Sequence, residues 1–156
     1  HASSAFDAEG VATRESALVD GGILQRYVLG SYSARKLGMK TTGNAGGVHN
    51  LHVDAGSVDG GGTLDFEALL KRMRTGLLVT ELIGHGVSIV TGDYSRGAAG
   101  FWVENGEIAF PVHEITIAGN LRDMFAGIEA IGSDVDRRSS VLTGSILLGK
   151  MTVAGE

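Results

Sequence analysis

The chain has 156 residues, of which 43% are hydrophobic and 20% charged, proportions that fit one globular domain with a real core and exclude a disordered segment. Eighteen acidic residues against 13 basic ones leave a net charge of -5, the wrong sign for a protein whose affinity comes from neutralising phosphates. The absence of cysteine excludes disulfides, thiolate metal ligands and a thiol nucleophile together.

From the amino terminus, Ala12 to Val19 and Ile23 to Leu29 read as strands joined at Asp20-Gly21-Gly22, because Asp-Gly and Gly-Gly supply the positive φ angles of a tight turn. Ser31 to Leu37 reads as a short helix stopped by Gly38, and Gly47 to Val53 as a strand. Asp54 to Gly62 has the composition of a long surface loop. Leu64 to Thr75 gives the clearest helix, with Phe66, Leu69, Leu70 and Met73 at helical spacing, Thr63 as the expected N-cap and Gly76 as the stop. Leu77 to Ile83 and Val87 to Thr91 are apolar and rich in β-branched residues, as strands are. Phe101 to Val103 and Ile108 to Val112 flank Glu104-Asn105-Gly106, where Asn-Gly marks a hairpin turn. A second helix is expected from Asn120, with Leu121, Met124, Phe125 and Ile128 as its buried stripe; after Asp134 to Arg138, strands return at Val141 to Leu148 and Met151 to Ala154. Phe66, Phe125 and the methionines are assigned to the core. The 25 glycines, about twice the usual share of roughly 7%, are dispersed through apolar sequence and suit turns, bulges and close strand approaches. The expected fold is α+β or mainly β, a largely antiparallel sheet with two or three packed helices. No apolar run approaches the roughly 20 residues that span a bilayer, and the amino terminus lacks signal-peptide regions, so the reading is a soluble cytoplasmic protein without a membrane partner.

Catalytic motifs fail one by one. A zinc peptidase helix needs two histidines one turn apart with a glutamate beside the first, so that both imidazoles face one metal and the carboxylate activates its water. His113-Glu114 starts that pattern, but Ile117 stands where the second histidine would be. His49 and His52 fall on opposite faces of a strand and meet Asp54 only through a bulge. Gly92 to Gly97 (GDYSRG) is one residue too long for a G-x-S-x-G nucleophile elbow at Ser95. Gly144 to Lys150 has phosphate-loop spacing, but Met151 replaces the Ser or Thr that binds magnesium. No catalytic residue and no metal ligand is therefore assigned. What remains is Gly84-His85-Gly86 and Gly92 to Gly97, followed by Phe101 and Trp102. Glycines admit another backbone closely, and Tyr, Arg and Trp are enriched where partners make their strongest contacts. Gly84, His85, Gly92, Asp93, Tyr94, Ser95, Arg96, Gly97 and Trp102 are accordingly the candidate substrate- or partner-binding residues. The competing reading gives the glycines to turns of the domain's own sheet and pairs Arg96 with Asp93 or Glu104.

The run LLVTELIGHGVSIVTGDYSRGAAGFWVENGEIAFPVHEITIAGNL, with Ala5-Phe6-Asp7-Ala8-Glu9-Gly10 upstream and Val153-Ala154-Gly155-Glu156 at the end, resembles the carboxy-terminal domain of the PmbA/TldE proteins. These are partner subunits of the TldD/TldE zinc metallopeptidases, also called modulators of DNA gyrase. The resemblance implies a single carboxy-terminal domain over residues 1–156, with the family's amino-terminal domain absent. It further implies a noncatalytic partner subunit that helps to assemble the peptidase and to enclose unfolded peptide substrates. Zinc is then expected in a TldD-type partner and not in this chain, and the -5 charge speaks against direct nucleic-acid contact despite the gyrase name. The alternative is an independent protein- or peptide-binding assembly module with no proteolytic connection. Homo-oligomerisation of the isolated chain stays open.

Overall fold

The computed structural model describes residues 3–54 and 63–155. In chain order the elements are β1 (Val19–Asp20), β2 (Ile23–Leu24), α1 (Ser31–Lys36), β3 (Leu51–His52), α2 (Phe66–Met73), β4 (Gly76–Ile83), β5 (Asp93–Glu104), β6 (Glu107–Asn120), α3 (Leu121–Ala126), β7 (Ile128–Ile131), β8 (Val141–Leu142), β9 (Ile146–Leu148) and β10 (Thr152–Ala154). Helices and mostly antiparallel strands together make an α+β fold, as expected. Two compact units emerge: His1–His52 with Arg137–Leu142, and Val53–Asp136 with Thr143–Glu156.

The first unit is poor in regular structure. The Asp20-Gly21-Gly22 turn forms with positive φ at both glycines, but the flanking strands shrink to the two-residue β1 and β2. The run from Thr13 to Ala17 (TRESA) carries too little apolar surface to hold a longer ladder. The expected strand at Gly47 to Val53 also contracts, to β3, which runs parallel to β8. Helix α1 ends at Lys36, one residue short of the expected Leu37, which is its C-cap, with Gly38 beyond it at φ +66. Among the described residues, the unit's buried hydrophobic side chains are Leu29 and Ala34, and Asp7 is buried as well.

The second unit is a four-stranded antiparallel sheet of order β10-β6-β5-β4, with a β7-β9 ribbon. The β5-β6 hairpin turns on Asn105 (φ +53) and Gly106 (φ +82), the two positive angles that make a type I′ turn match the twist of its strands. Both strands run well past the expected limits. Opposite Ala99 and Gly100 of β5, β4 carries one extra residue, Thr80, and β6 carries two where β5 has one, His113 and Glu114, so bulges on both neighbours crease the sheet at one level. Glycine is required there, since a Cβ at Gly100 would stand 1.9 Å from the Leu78 carbonyl oxygen.

Two apolar clusters stabilise this unit. Leu69 of α2 packs with Ala130 and Leu147 and is joined by Leu64 and Met73; Ala98, Ile115 and Ile117 form the other, on the sheet, with Leu77, Val79, Tyr94, Val112 and Met151 against them. Several expectations fail here for identifiable reasons. Helix α2 is capped by Asp65, whose carboxylate accepts the Ala68 amide at 2.8 Å, and not by Thr63; it ends at Arg74, in positive φ, before Gly76. Val87 to Thr91 is a loop and not a strand, because Ser88 captures the Gly92 and Thr91 amides and turns the chain. Helix α3 starts at Asn120 as expected but buries no residue: Phe125 is 70% exposed, and Ile128 already belongs to β7. Phe66 is half-buried and Met39 exposed, so neither is core. Val141 to Leu148 breaks into β8 and β9, where Gly144 sits so close to the Gly132 carbonyl that no Cβ fits, and Asp134 clasps Ser145 through two hydrogen bonds. Most of the expected loop at Asp54 to Gly62 lies outside the described residues.

Candidate functional site

Nearly all of the candidate residues lie on the connection between β4 and β5 and on the first half of β5. Gly84 leaves β4 at φ +81, and Gly86 brings its carbonyl to the Ser95 amide at 2.7 Å, an approach that a side chain at 86 would block. Val87 bridges Tyr94. The Thr91 hydroxyl donates to the Asp93 carboxylate at 2.7 Å, the Asn120 amide donates to the Thr91 carbonyl, and the Leu121 amide donates to the Gly92 carbonyl at 2.6 Å. Asn120 thus caps α3 through Arg122 and fastens the base of the loop. On this tethered frame His85 is exposed, and Ile89 and Val90 stand 89% and 91% exposed at the tip.

Strand alternation then sorts β5. Tyr94, Arg96, Ala98, Gly100 and Trp102 fall on one face, Asp93, Ser95 and Gly97 on the other. Tyr94 packs on the cluster of Ala98, Ile115 and Ile117, and Arg96 lies opposite Ile117. The Arg96 Nη2 donates to the Leu82 carbonyl at 3.2 Å, while its Nε is buried without a hydrogen-bond partner among the described residues. The expected pairing of Arg96 with Asp93 or Glu104 is not made. Trp102, six residues beyond Arg96, is about 20 Å further along the strand. It lies opposite Leu77 and Phe110 and is not part of one pocket with Arg96. Ser95 sits mid-ladder with its amide on Gly86, not at a strand-to-helix corner, so no nucleophile elbow forms.

A second constellation, in the first unit, went unassigned in the sequence. The Asp7 carboxylate accepts the Glu9 and Val11 amides through Oδ1 and the Ala45 amide through Oδ2, each at 2.9 Å. The Ala45 amide in the first place, then those of Val11 and Glu9 with nearby His49, hold its carboxyl below the usual aspartate range, although burial pushes the other way. Glu9 accepts the Ser31 amide at 2.8 Å, and Ser31, through hydroxyl and amide, lowers its carboxyl as well. Glu9 also borders an open cleft of about 400 Å³ with Val28, Tyr32 and Asn44. The signal that was available is Asp7-Ala8-Glu9-Gly10, an acidic residue two positions before another and three before a glycine, the pattern of an Asx turn.

Over residues 1–155 the chain matches the family described as the PmbA/TldA metallopeptidase C-terminal domain. It belongs to that family. It is 57% identical over 155 residues to metalloprotease PmbA of Escherichia coli O157:H7, covering 99% of this chain and 33% of that one, and equally identical to a metalloprotease PmbA homolog of Haemophilus influenzae with the same coverage. A solved structure from Thermotoga maritima, described as a modulator of a DNA gyrase, superposes with a TM-score of 0.85 at 38% identity, over 98% of this chain and 36% of that one. TldE from Thermococcus kodakarensis shares the fold with a TM-score of 0.79 at 24% identity, over 97% and 36%. The chain spans about a third of the length of the curated relatives it matches.

A metallopeptidase family implies a catalytic metal, and the donors among the described residues do not fit one. Among the described residues no three His, Asp or Glu side chains converge as a metal would need. His113 and Glu114 lie on β6 at the bulge, Glu114 at φ +56, instead of on a helix face. His49 has its Nε2 buried without a hydrogen-bond partner among the described residues. No helix among the described residues is long and apolar enough to cross a membrane.

Proposed function

We propose that this domain is a noncatalytic part of a TldE-type subunit, contributing to assembly with a TldD-type metallopeptidase subunit and to enclosure of unfolded peptide substrates in the cytoplasm. One observation carries the proposal: the His113-Glu114 pair that begins a zinc-helix pattern sits on a bulged β-strand, with Ile117 buried in the sheet where a second ligand would stand. A strand points successive side chains to opposite faces, so it cannot offer two imidazoles and a carboxylate to one ion as a helix turn does. The 57% identity to metalloprotease PmbA attaches the domain to proteolysis, while the chemistry is left to a subunit with convergent ligands. On this reading the contact surface is the β4-β5 loop with Gly84, His85 and Gly92 to Gly97, and Trp102 marks a separate contact further along β5.

The test has two parts. The isolated chain, incubated with peptides in the presence of zinc or of chelator, is expected to show no turnover, and a TldD-type protein is expected to be retained by the immobilised chain. Chelator-sensitive cleavage that disappears on His113→Ala or His85→Ala would place the metal here and end the proposal. Failure to retain any TldD-type protein would favour an assembly module with no proteolytic connection.

A further inference from the structure

We propose that the Arg96 guanidinium on β5, set between Tyr94, Leu82 and Ile117, is a receptor for the carboxylate of a peptide or partner chain. The inference rests on the reading that this sheet face meets substrate or partner, and it names the chemistry that the face recognises.

Arginine stays charged at every physiological pH and offers five donors in a planar fork. In this chain one of them reaches a protein acceptor, Nη2 to the Leu82 carbonyl at 3.2 Å. Among the described residues Nε is buried with no hydrogen-bond partner. The internal carboxylates that the sequence offered are elsewhere: Asp93 is on the opposite face and accepts from Thr91, and Glu104 ends β5 about 26 Å away. A half-buried cation without a counter-ion is unusual on a sheet face beside Ile117, because one hydrogen bond to a carbonyl repays only part of its desolvation. A carboxylate arriving at the Nη1 and Nη2 end would supply two charge-assisted hydrogen bonds at once. Buried Ile117, opposite Arg96 in the sheet, lowers the local dielectric and so strengthens that pairing. It also favours a ligand whose carboxylate adjoins an apolar group. Both the carboxy-terminus of a peptide and an Asp or Glu side chain of a partner have this chemistry.

Three peptides separate the sources: acetyl-Ala-Ala-Leu with a free carboxy-terminus, the same peptide as its amide, and acetyl-Ala-Glu-Leu-amide. Each is titrated into the ¹⁵N-labelled chain while the Arg96 Nε–H and the Tyr94 and Gly97 amide resonances are followed. At least one carboxylate peptide is expected to shift these signals, with the uncharged amide at least tenfold weaker, and the stronger of the two acids identifies the source. Arg96→Gln should lose tenfold or more, and Arg96→Lys, which keeps the charge without the fork, should fall between. Equal binding of all three peptides, binding of none, or unchanged affinity in a folded Arg96→Gln chain overturns the receptor. Should Arg96→Gln not fold, the three-peptide comparison on the unaltered chain decides alone. Retention of a TldD-type protein is measured separately, so the receptor can fail while the partner role stands.

Discussion

The two units of this domain are stabilised by opposite means. In the first, Asp7, Glu9, Thr42 and Asn44 gather loops by side-chain hydrogen bonds: Asp7 takes three backbone amides, and Thr42 donates its hydroxyl to Asn44 at 2.9 Å and receives the Leu29 amide at 2.8 Å. In the second, long antiparallel ladders and two apolar clusters do the same work, and single polar side chains matter mainly at caps and clasps. The lesson is that stability in the first unit depends on the charge state of a few carboxylates, and in the second on volume and close strand approach. Acid should therefore act mainly on the first unit and in the second only at the Asp134 clasp, while core truncation probes the second.

The largest effect is expected where strands touch most closely. Gly100→Ala places a Cβ 1.9 Å from the Leu78 oxygen and 3.1 Å from the Thr80 nitrogen, both backbone atoms that cannot rotate away. Separating β4 from β5 should cost about 3 kcal/mol or more, read as a lower midpoint in urea unfolding, with the first unit's amides unaffected in hydrogen exchange. Unchanged stability would show that the crease between β4 and β5 is looser than the packing implies. Next in size, Ile115→Ala removes a buried side chain from the Ala98 and Ile117 cluster and is expected to cost roughly 2–4 kcal/mol by the same measurement. Asp65→Ala uncaps α2 by removing the acceptor of the Ala68 amide, and about 1 kcal/mol should be lost.

The change confined to acid is the one that sharpens the comparison most. Asp7 and Glu9 both have carboxyl pKa values below their ordinary ones, so they stabilise the folded chain above the unfolded carboxylate range, and that contribution disappears as pH falls through the lowered folded values. Hydrogen exchange at the Val11 and Ala45 amides should accelerate in acid before the β5-β6 ladder does. Asp7→Asn should flatten this acid dependence in the first unit and leave the second unit's pH profile as it was; an unchanged acid profile would show that Asp7 does not govern that unit.

Features encoded within a few residues were legible in the sequence. Asn105-Gly106 and Asp20-Gly21-Gly22 announce their turns because the positive φ angles are a property of those residues themselves, and α2 follows from its apolar period. Strand extent was less legible. Gly97-Ala98-Ala99-Gly100 has weak strand propensity and becomes a ladder because small residues let β4 and β6 come close on either side. Ile89-Val90 shows the reverse: two β-branched residues that favour a strand are held in a loop by Ser88 and Asn120. In the candidate site, the sequence groups Gly84 to Gly86, Gly92 to Gly97 and Trp102 by residue type alone; the loop at Val87 to Thr91 and the distance to Trp102 are not legible there, since Ser88 sets the one and the uninterrupted length of β5 the other. The role of Asp7 was hidden because its third amide comes from Ala45, far along the chain.

The parallel pairing of Leu51 with Val141 has a consequence for biosynthesis. The first unit is discontinuous in sequence, and the whole of β4 to β7 is translated between its two parts. A ribosome adding roughly 5–20 residues per second leaves β3 without its neighbour for several seconds. In that interval the β5-β6 hairpin, whose contacts are local, has ample time to form. The first unit thus waits for its second segment while the hairpin forms, and during those seconds β3 presents an unpaired strand edge to chaperones.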